Sequence, residues 1–459
     1  MQYINTLFSK QRDFYKSHQT RNIKGRLILL KKLKAEVISN ETAILEALKK
    51  DFKKSAFEGY LSEVGLVLSE LDLTIKKLKS WAKKERVKSA LLTFPSKDYI
   101  YKEPYGNVLV IAPWNYPFLL ALEPVIMAIA AGNTVVLKPS ELTTNTAAIL
   151  TKIIKKVFPG EVATTVEGGV EVATALLEKP WDYIFFTGST QVGKIVAEAA
   201  AKHLTPTTLE LGGKSPCIVD ETADLKLVAR RLVWGKFFNG GQTCIAGDYV
   251  LVKAPRKEAL IQALSKEIEK RYTKNPKSSE DFPRIVNNDH LNRLINLLEN
   301  QTVVFGGDFD ESDNYLAPTI VDEPDMNTPL MKEEIFGPIL PILSYSTEED
   351  IRKTIAESSR PLSFYIFSKN KTFVDNLLNT INFGGGVVND LLVQFGNPRL
   401  PFGGIGTSGM GSYHGKFGFD TFSHHKAVMI RSTWFDPSFR YPPYKGKLKL
   451  LKKFLKYFS

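Results

Sequence analysis

Tyr183-Ile184-Phe185-Phe186-Thr187-Gly188-Ser189-Thr190-Gln191-Val192-Gly193 runs from four apolar residues, through a small-residue turn, into a helical pattern ending near Ala201. A short apolar block bounded by such a turn reads as a strand buried on both faces. The same unit recurs upstream. Residues 107–111 form a short buried strand. Residues 124–131 read as a helix closed by Gly132-Asn133, and 134–137 as the next strand. Residues 149–157 are helical, and Pro159-Gly160 breaks them. Strands alternating with helices specify a parallel sheet covered by helices, so the fold class is α/β. Open parallel sheets bind ligands at the carboxyl ends of their strands. The turn 187–193 places a helix N-terminus there, with free N–H groups suited to a pyrophosphate. Its glycines do not follow the usual Gly-x-Gly-x-x-Gly spacing, and a plain tight turn would look the same.

Working outward, residues 1 to about 85 read as helices, with core stripes through Leu27, Leu30, Leu33, Val37 and through Val64, Leu68, Leu71, Ile75, Leu78. A second α/β region begins at about 213. It holds strands at 249–252 and 384–388 and a helix over 257–271, and the polar stretch 272–283 reads as a surface loop. Pro216-Cys217-Ile218-Val219 reads as a core strand.

With 459 residues, two or three domains are expected. A composition of 43% hydrophobic and 24% charged residues is that of a soluble globular protein. Two cysteines leave no disulfide framework and point to a reducing compartment. No signal peptide and no run of about 18 uncharged apolar residues is visible. The net charge of +12 suits anionic partners in general. Without a zinc-finger or RNA-recognition pattern it does not indicate nucleic acid.

Two further strand-end loops carry polar groups. Lys138-Pro139-Ser140-Glu141 offers a lysine and a glutamate to a ribose, or simply an N-cap. Pro113-Trp114-Asn115-Tyr116-Pro117 offers an Asn amide that can donate to a developing oxyanion, although Asn and Pro also make turns. Phe237-Phe238-Asn239-Gly240-Gly241-Gln242-Thr243-Cys244 presents a thiol after a Gly-rich turn, and Leu209-Glu210-Leu211-Gly212-Gly213-Lys214 presents a carboxylate. Thiolate nucleophile and carboxylate base are the pair needed to make and hydrolyse a thioester. An isolated cysteine would read as a small core residue.

Together these segments resemble the aldehyde dehydrogenase superfamily. Glu333-Glu334-Ile335-Phe336-Gly337-Pro338 and Pro401-Phe402-Gly403-Gly404 complete the set, in the family's order, over residues 50 to 430. Gly411-Ser412-Tyr413-His414-Gly415-Lys416 and Asp420-Thr421-Phe422-Ser423-His424 look like its class 3, fatty-aldehyde-dehydrogenase-like branch. The resemblance implies a Rossmann-like cofactor domain (1–81 and 104–212), a second α/β catalytic domain (213–416) and a small β bridging or oligomerisation element (82–103 and 417–431). It implies Cys244 as nucleophile and Glu210 as general base, with Asn115 and the Cys244 backbone N–H as oxyanion donors. Lys138 and Glu141 would hold the adenosine ribose. Gly188, Ser189, Val192 and Gly193 would meet the pyrophosphate, and Trp114, Glu334 and Phe336 the nicotinamide half. The implied reaction is NAD- or NADP-dependent oxidation of medium- to long-chain aliphatic or aromatic aldehydes to acids. No metal is required, and a cytoplasmic homodimer is expected. A CoA-acylating relative typically lacks the base glutamate, so Glu210 argues against that alternative. A non-catalytic, membrane-associated protein of the same fold is the other.

The chain departs from the branch in two places. Cys244-Ile245-Ala246-Gly247-Asp248 has glycine where proline is common, and Gln394 stands before Phe395 in place of a histidine. Finally, residues 445–459 read as a basic amphipathic helix, with Leu448, Leu451, Leu455 and Phe458 on one face and Lys449, Lys452, Lys453 and Lys456 opposite. Peripheral contact with an anionic membrane and docking on the protein or its dimer partner are both open readings.

Overall fold

The computed structural model describes residues 2–358 and 360–458. The first sheet has six strands, in the spatial order Gly409–Met410, Thr207–Glu210, Tyr183–Thr187, Asn107–Ile111, Thr134–Lys138, Ala163–Thr165. All pairs are parallel except the first. From Asn107–Ile111 the chain steps outward to Thr134–Lys138 and Ala163–Thr165, then returns to Tyr183–Thr187 on the other side. That reversal of strand order opens a crevice at the carboxyl ends. Lys138 and Glu210, the last residues of their strands, and the loops holding Trp114-Asn115 and Gly188 all lie on this rim.

The sheet is buried between helices, which is why its strands read as unbroken apolar runs. The central covering helix, Leu119–Ala131, is buried at all 13 positions and stops at Gly132, whose φ of 102° is left-handed. It begins five residues before the expected start at 124, because a wholly apolar run has no periodicity to mark its first turn and Pro124 sits inside the helix. The N-terminal region is helical as expected, through Gln2–Lys16, Ile23–Ser39, Glu41–Phe52 and Gly65–Trp81.

The second sheet has seven strands, in the order Val303–Phe305, Thr319–Asp322, Ile339–Tyr345, Tyr249–Lys253, Pro216–Val219, Ser363–Phe367, Gly385–Val388. Cys217 is fully buried there. Glu85–Val87, Ser96–Pro104 and Ser423–Arg431 form a separate antiparallel sheet, the last two paired over nine residues from Ser423↔Pro104 to Arg431↔Ser96.

Gly409–Met410, drawn with the second region, adds to the first sheet beside Glu210, since Gly409 pairs with that residue. Residues 417–421, drawn with the bridging strands, belong to the helix Gly415–Thr421. That helix approaches Leu119–Ala131 so closely that a Cβ on Gly418 would lie 2.7 Å from Met127 Cγ.

Residues Leu448–Phe458 form the C-terminal helix. Leu448, Leu450, Leu451 and Leu455 are exposed at 37–60%. Ser459 lies outside the described residues, as do the side chains of Phe454 and Phe458. Among the described residues no helix is long and apolar enough to cross a membrane, and no cluster of three or more His, Cys, Asp or Glu could hold a metal.

Candidate active site

The helix Leu225–Phe237 delivers the chain to a tight turn before Cys244. Asn239, Gly240 and Gly241 all have positive φ, at 54°, 63° and 76°. Glycine and asparagine adopt that conformation at least cost. At Gly241 even a Cβ would meet the Gly337 carbonyl oxygen at 2.3 Å. The Asn-Gly-Gly sequence is thus what allows the loop to turn under the 337 backbone.

This loop is tied to the Asn115 loop. Asn239 Nδ2 donates to the carbonyls of Asn115 (2.9 Å) and Gln242 (3.1 Å). Asn115 Nδ2 donates to the Gln242 carbonyl (3.1 Å), which leaves its second amide hydrogen free. The hydroxyls of Tyr116 and Thr243 share a hydrogen bond of 2.6 Å.

Cys244 and Glu210 line one cavity of about 270 Å³, with Thr187, Thr243 and Tyr116 as further polar groups. Ser62 and Tyr413 also line it, and the rest of its walls are largely apolar, built from residues such as Leu61, Leu66, Trp234, Val393, Phe395 and Phe402. Both Glu210 carboxylate oxygens are buried without a hydrogen-bond partner among the described residues, and burial pushes the carboxyl well above its usual range. Burial also pushes the Cys244 thiol up. The Glu334 and Glu210 charges push the same way, while the Cys244 and Ile245 backbone N–H groups oppose them. Burial thus disfavours the charged form of both groups.

Glu334 sits against the backbone after Glu210. A Cβ on Gly212 would fall 1.9 Å from its Oε2. Its carboxyl is pushed up to about 8 by burial first and by Asp248 second, against the Gly213 N–H, Lys214 and Arg293. Lys214 fixes this region by bonding Asp248 Oδ2 (2.5 Å) and the carbonyls of Leu330 and Glu333. Trp114 meets Phe336 edge-on at 5.2 Å and His290 at 4.8 Å. Phe336 is held at φ 53°, a strained conformation for an aromatic residue.

At the next strand ends, Lys138 is ion-paired with Glu141. Burial would raise the Glu141 carboxyl, but the Lys138 hydrogen bond and charge hold it below its usual value. Ser189 Oγ caps the helix Thr190–Ala201 by accepting from Val192 N–H (3.3 Å). A Cβ on Gly188 would lie 2.5 Å from Phe186 Cζ, and one on Gly193 2.5 Å from Leu211 Cδ2. Lys138, Glu141, Ser189 and Val192 do not line the cavity of Cys244. They form a neighbouring surface along the rim. The helix N-terminus, the two close-packed glycines and Thr187 Oγ1 and Glu334 Oε1, unpartnered among the described residues, fit the binding of a nicotinamide dinucleotide here.

A sequence profile of the aldehyde dehydrogenase family matches residues 3–428. The chain belongs to the aldehyde dehydrogenase family. The 4,4'-diaponeurosporen-aldehyde dehydrogenase of Staphylococcus aureus is 47% identical over 99% of this chain and 100% of its own length. The dimeric NADP-preferring aldehyde dehydrogenase of Mus musculus is 42% identical over 98% and 99%. The substrate-bound structure of Staphylococcus aureus AldH superposes with a TM-score of 0.97 at 47% identity, covering 98% of this chain and 99% of that one. Family 3 aldehyde dehydrogenases are among the similar proteins, as the C-terminal motifs imply. This aldehyde dehydrogenase is an NAD(P)-dependent oxidoreductase that oxidises aldehydes.

Two departures from the branch now have local explanations. A Cβ at Gly247 would come 2.5 Å from Cys217 Sγ, so glycine makes room for that buried thiol. Gln394 Nε2 donates to Ser363 Oγ (3.1 Å) and Tyr365 OH (3.2 Å), while its neighbours Val393 and Phe395 line the cavity of the aldehyde dehydrogenase. His290, the Tyr116–Thr243 bond and the apolar cavity walls were absent from the sequence reading, because no local motif marks residues that meet only in the fold.

Proposed function

We propose that Cys244 is the nucleophile, Glu210 the general base, and Asn115 with the Cys244 backbone N–H the oxyanion donors. The substrates are medium- to long-chain aliphatic or aromatic aldehydes. The observation that carries this reading is one mostly apolar cavity, open on one side, lined by both Cys244 and Glu210. Cys244 and Glu210 each give up a proton to solvent water, the Cys244 thiolate adds to the aldehyde carbon, and the Asn115 amide and loop N–H stabilise the resulting oxyanion. When bound, the nicotinamide supplies the acceptor for the hydride leaving that carbon. Collapse gives a thioester on Cys244. Glu210, as carboxylate, then takes a proton from water, which adds to the thioester and releases the acid and the thiol. The apolar walls suit the substrate chain.

Lys138 and Glu141 take the adenosine ribose, and Gly188, Ser189, Val192 and Gly193 the pyrophosphate. Trp114, Glu334 and Phe336 hold the nicotinamide half. Pairing with Lys138 weakens the repulsion Glu141 would exert on a 2′-phosphate, which supports use of both NAD and NADP. The division into 1–81 with 104–212, 213–416, and 82–103 with 417–431 describes cofactor, catalytic and bridging units. Ser423–Arg431 is an edge strand with most side chains exposed, which supports a homodimer built on it. Both cysteines are free, in keeping with a cytoplasmic location. The exposed leucines of the C-terminal helix support peripheral membrane contact through residues 445–459.

The test is NAD- and NADP-linked oxidation of straight-chain aldehydes of increasing length, by wild type and Cys244→Ala. Turnover lost in the variant, with kcat/KM rising with chain length, is expected. Turnover that needs CoA would favour the acylating alternative.

A further inference from the structure

Beneath the cavity wall lies a charged cluster with no part in the mechanism above. Lys54 and Glu63 are fully buried and paired at 2.7 Å. Glu58 is buried beside them. Removing two ions from water costs several kcal/mol per ion, and apolar residues of similar size would often be as stable. The position of this cluster therefore needs a reason other than stability.

Its hydrogen bonds supply one. Glu63 Oε2 accepts from the backbone N–H groups of Phe118 (2.8 Å) and Leu119 (3.3 Å), at the start of the helix that follows the Asn115 loop. Glu58 Oε1 accepts from the Asn239 N–H (2.9 Å), in the turn that leads to Cys244. Lys54 Nζ lies 4.7 Å above the ring of Tyr116, whose hydroxyl bonds Thr243. One carboxylate thus holds each of the two loops.

The local backbone is built for this. Tyr60–Val64 is a π-helical turn. Residues five apart stand about 140° apart around an α-helix, but near one face of a π turn. The wider turn lets Glu58 and Glu63 face the interior together. The same turn puts Leu61 on the wall of the Cys244 cavity.

We propose that Lys54, Glu58 and Glu63 are positioning residues for the oxyanion site. They clamp the Asn115 and Cys244 loops to the π turn and the helical turn just before it, and so fix the Asn115 amide relative to the attacked carbonyl. The proposal rests on the roles given above to Asn115 and Cys244.

The experiment compares Glu63→Gln, Glu58→Leu, the apolar pair Lys54→Met/Glu63→Leu, Asn115→Ala and Asn115→Ala/Glu63→Gln with wild type. For each, kcat and KM with decanal, NADH affinity by fluorescence, and Tm are measured. Glu63→Gln and Glu58→Leu should lower kcat on the order of tenfold to a hundredfold, with aldehyde KM and NADH affinity unchanged. The apolar pair should regain Tm without regaining kcat. Glu63→Gln should slow Asn115→Ala no further, because both changes act through one amide. Recovery of kcat along with Tm in the apolar pair would overturn the proposal, and so would independent, multiplying losses in the double variant. Should Glu63→Gln not fold, Glu58→Leu carries the same kcat-against-KM comparison. Full turnover by Asn115→Ala or Cys244→Ala would instead defeat the underlying site reading, and this proposal with it.

Discussion

Cys244 and Glu210 are separated by 34 residues, and they meet because one ends a strand of the first sheet while the other follows a helix of the second region. Their chemistry can be separated by mutation. Glu210→Gln leaves attack and hydride loss possible but removes the proton acceptor for water. A rapid burst of NADH, about one per active site, should be followed by slow turnover. Intact-protein mass spectrometry should show an acyl adduct on Cys244. An equal slowing of burst and steady state would place Glu210 before the thioester. These residues were legible in sequence because thiol, carboxylate and glycines sit in short local motifs. Glu58 and Glu63 were not, since each looks like an ordinary helix-surface glutamate until a distant loop supplies its donors.

Elements were legible where pattern and punctuation agreed. The strand 107–111 and the core strand Pro216–Val219 have their expected bounds. The helix at 119 did not, because complete burial erases the amphipathic period. The π turn was invisible, since its widening alters geometry without altering composition. Gly409–Met410 could not be assigned to the first sheet because two residues carry no periodicity. At Gly212 the geometry makes a sharp forecast. A methyl group there would collide with the Glu334 carboxylate, so Gly212→Ala should displace Glu334. NAD(P) affinity should fall about tenfold, a cost near 1.4 kcal/mol, with Tm little changed. Equilibrium titration of NADH fluorescence checks it. Unchanged affinity would separate Glu334 from the cofactor.

Over the whole molecule, buried carboxyls set the pH response. Glu58 and Glu70 are pushed up to about 7 by burial, and Glu334 to about 8. Each holds its proton more tightly folded than unfolded. Its stabilising share is full below about 4.5 and is lost as pH rises through 7 to 8. His414, lowered to about 3 by burial, acts in the opposite sense but only below 6.5. Calorimetry of the ligand-free enzyme should therefore show Tm falling from pH 6.5 to 8, less steeply in Glu334→Gln. The C-terminal helix offers a second test at this scale. Full-length protein should pellet with phosphatidylserine vesicles at low salt, and protein lacking residues 445–459 should not. Equal pelleting would remove the tail from any lipid role.

The burial that pushes the Cys244 thiol up has one more consequence. Peroxide attacks thiolates far faster than thiols. A thiol pushed up by burial offers peroxide less thiolate at rest. Ligand-free protein should outlast an exposed, low-pKa cysteine enzyme under the same oxidant, and its most vulnerable moment should come in mid-turnover. The burial that opposes thiolate formation in each catalytic cycle thereby also shields the sulfur from peroxide between cycles.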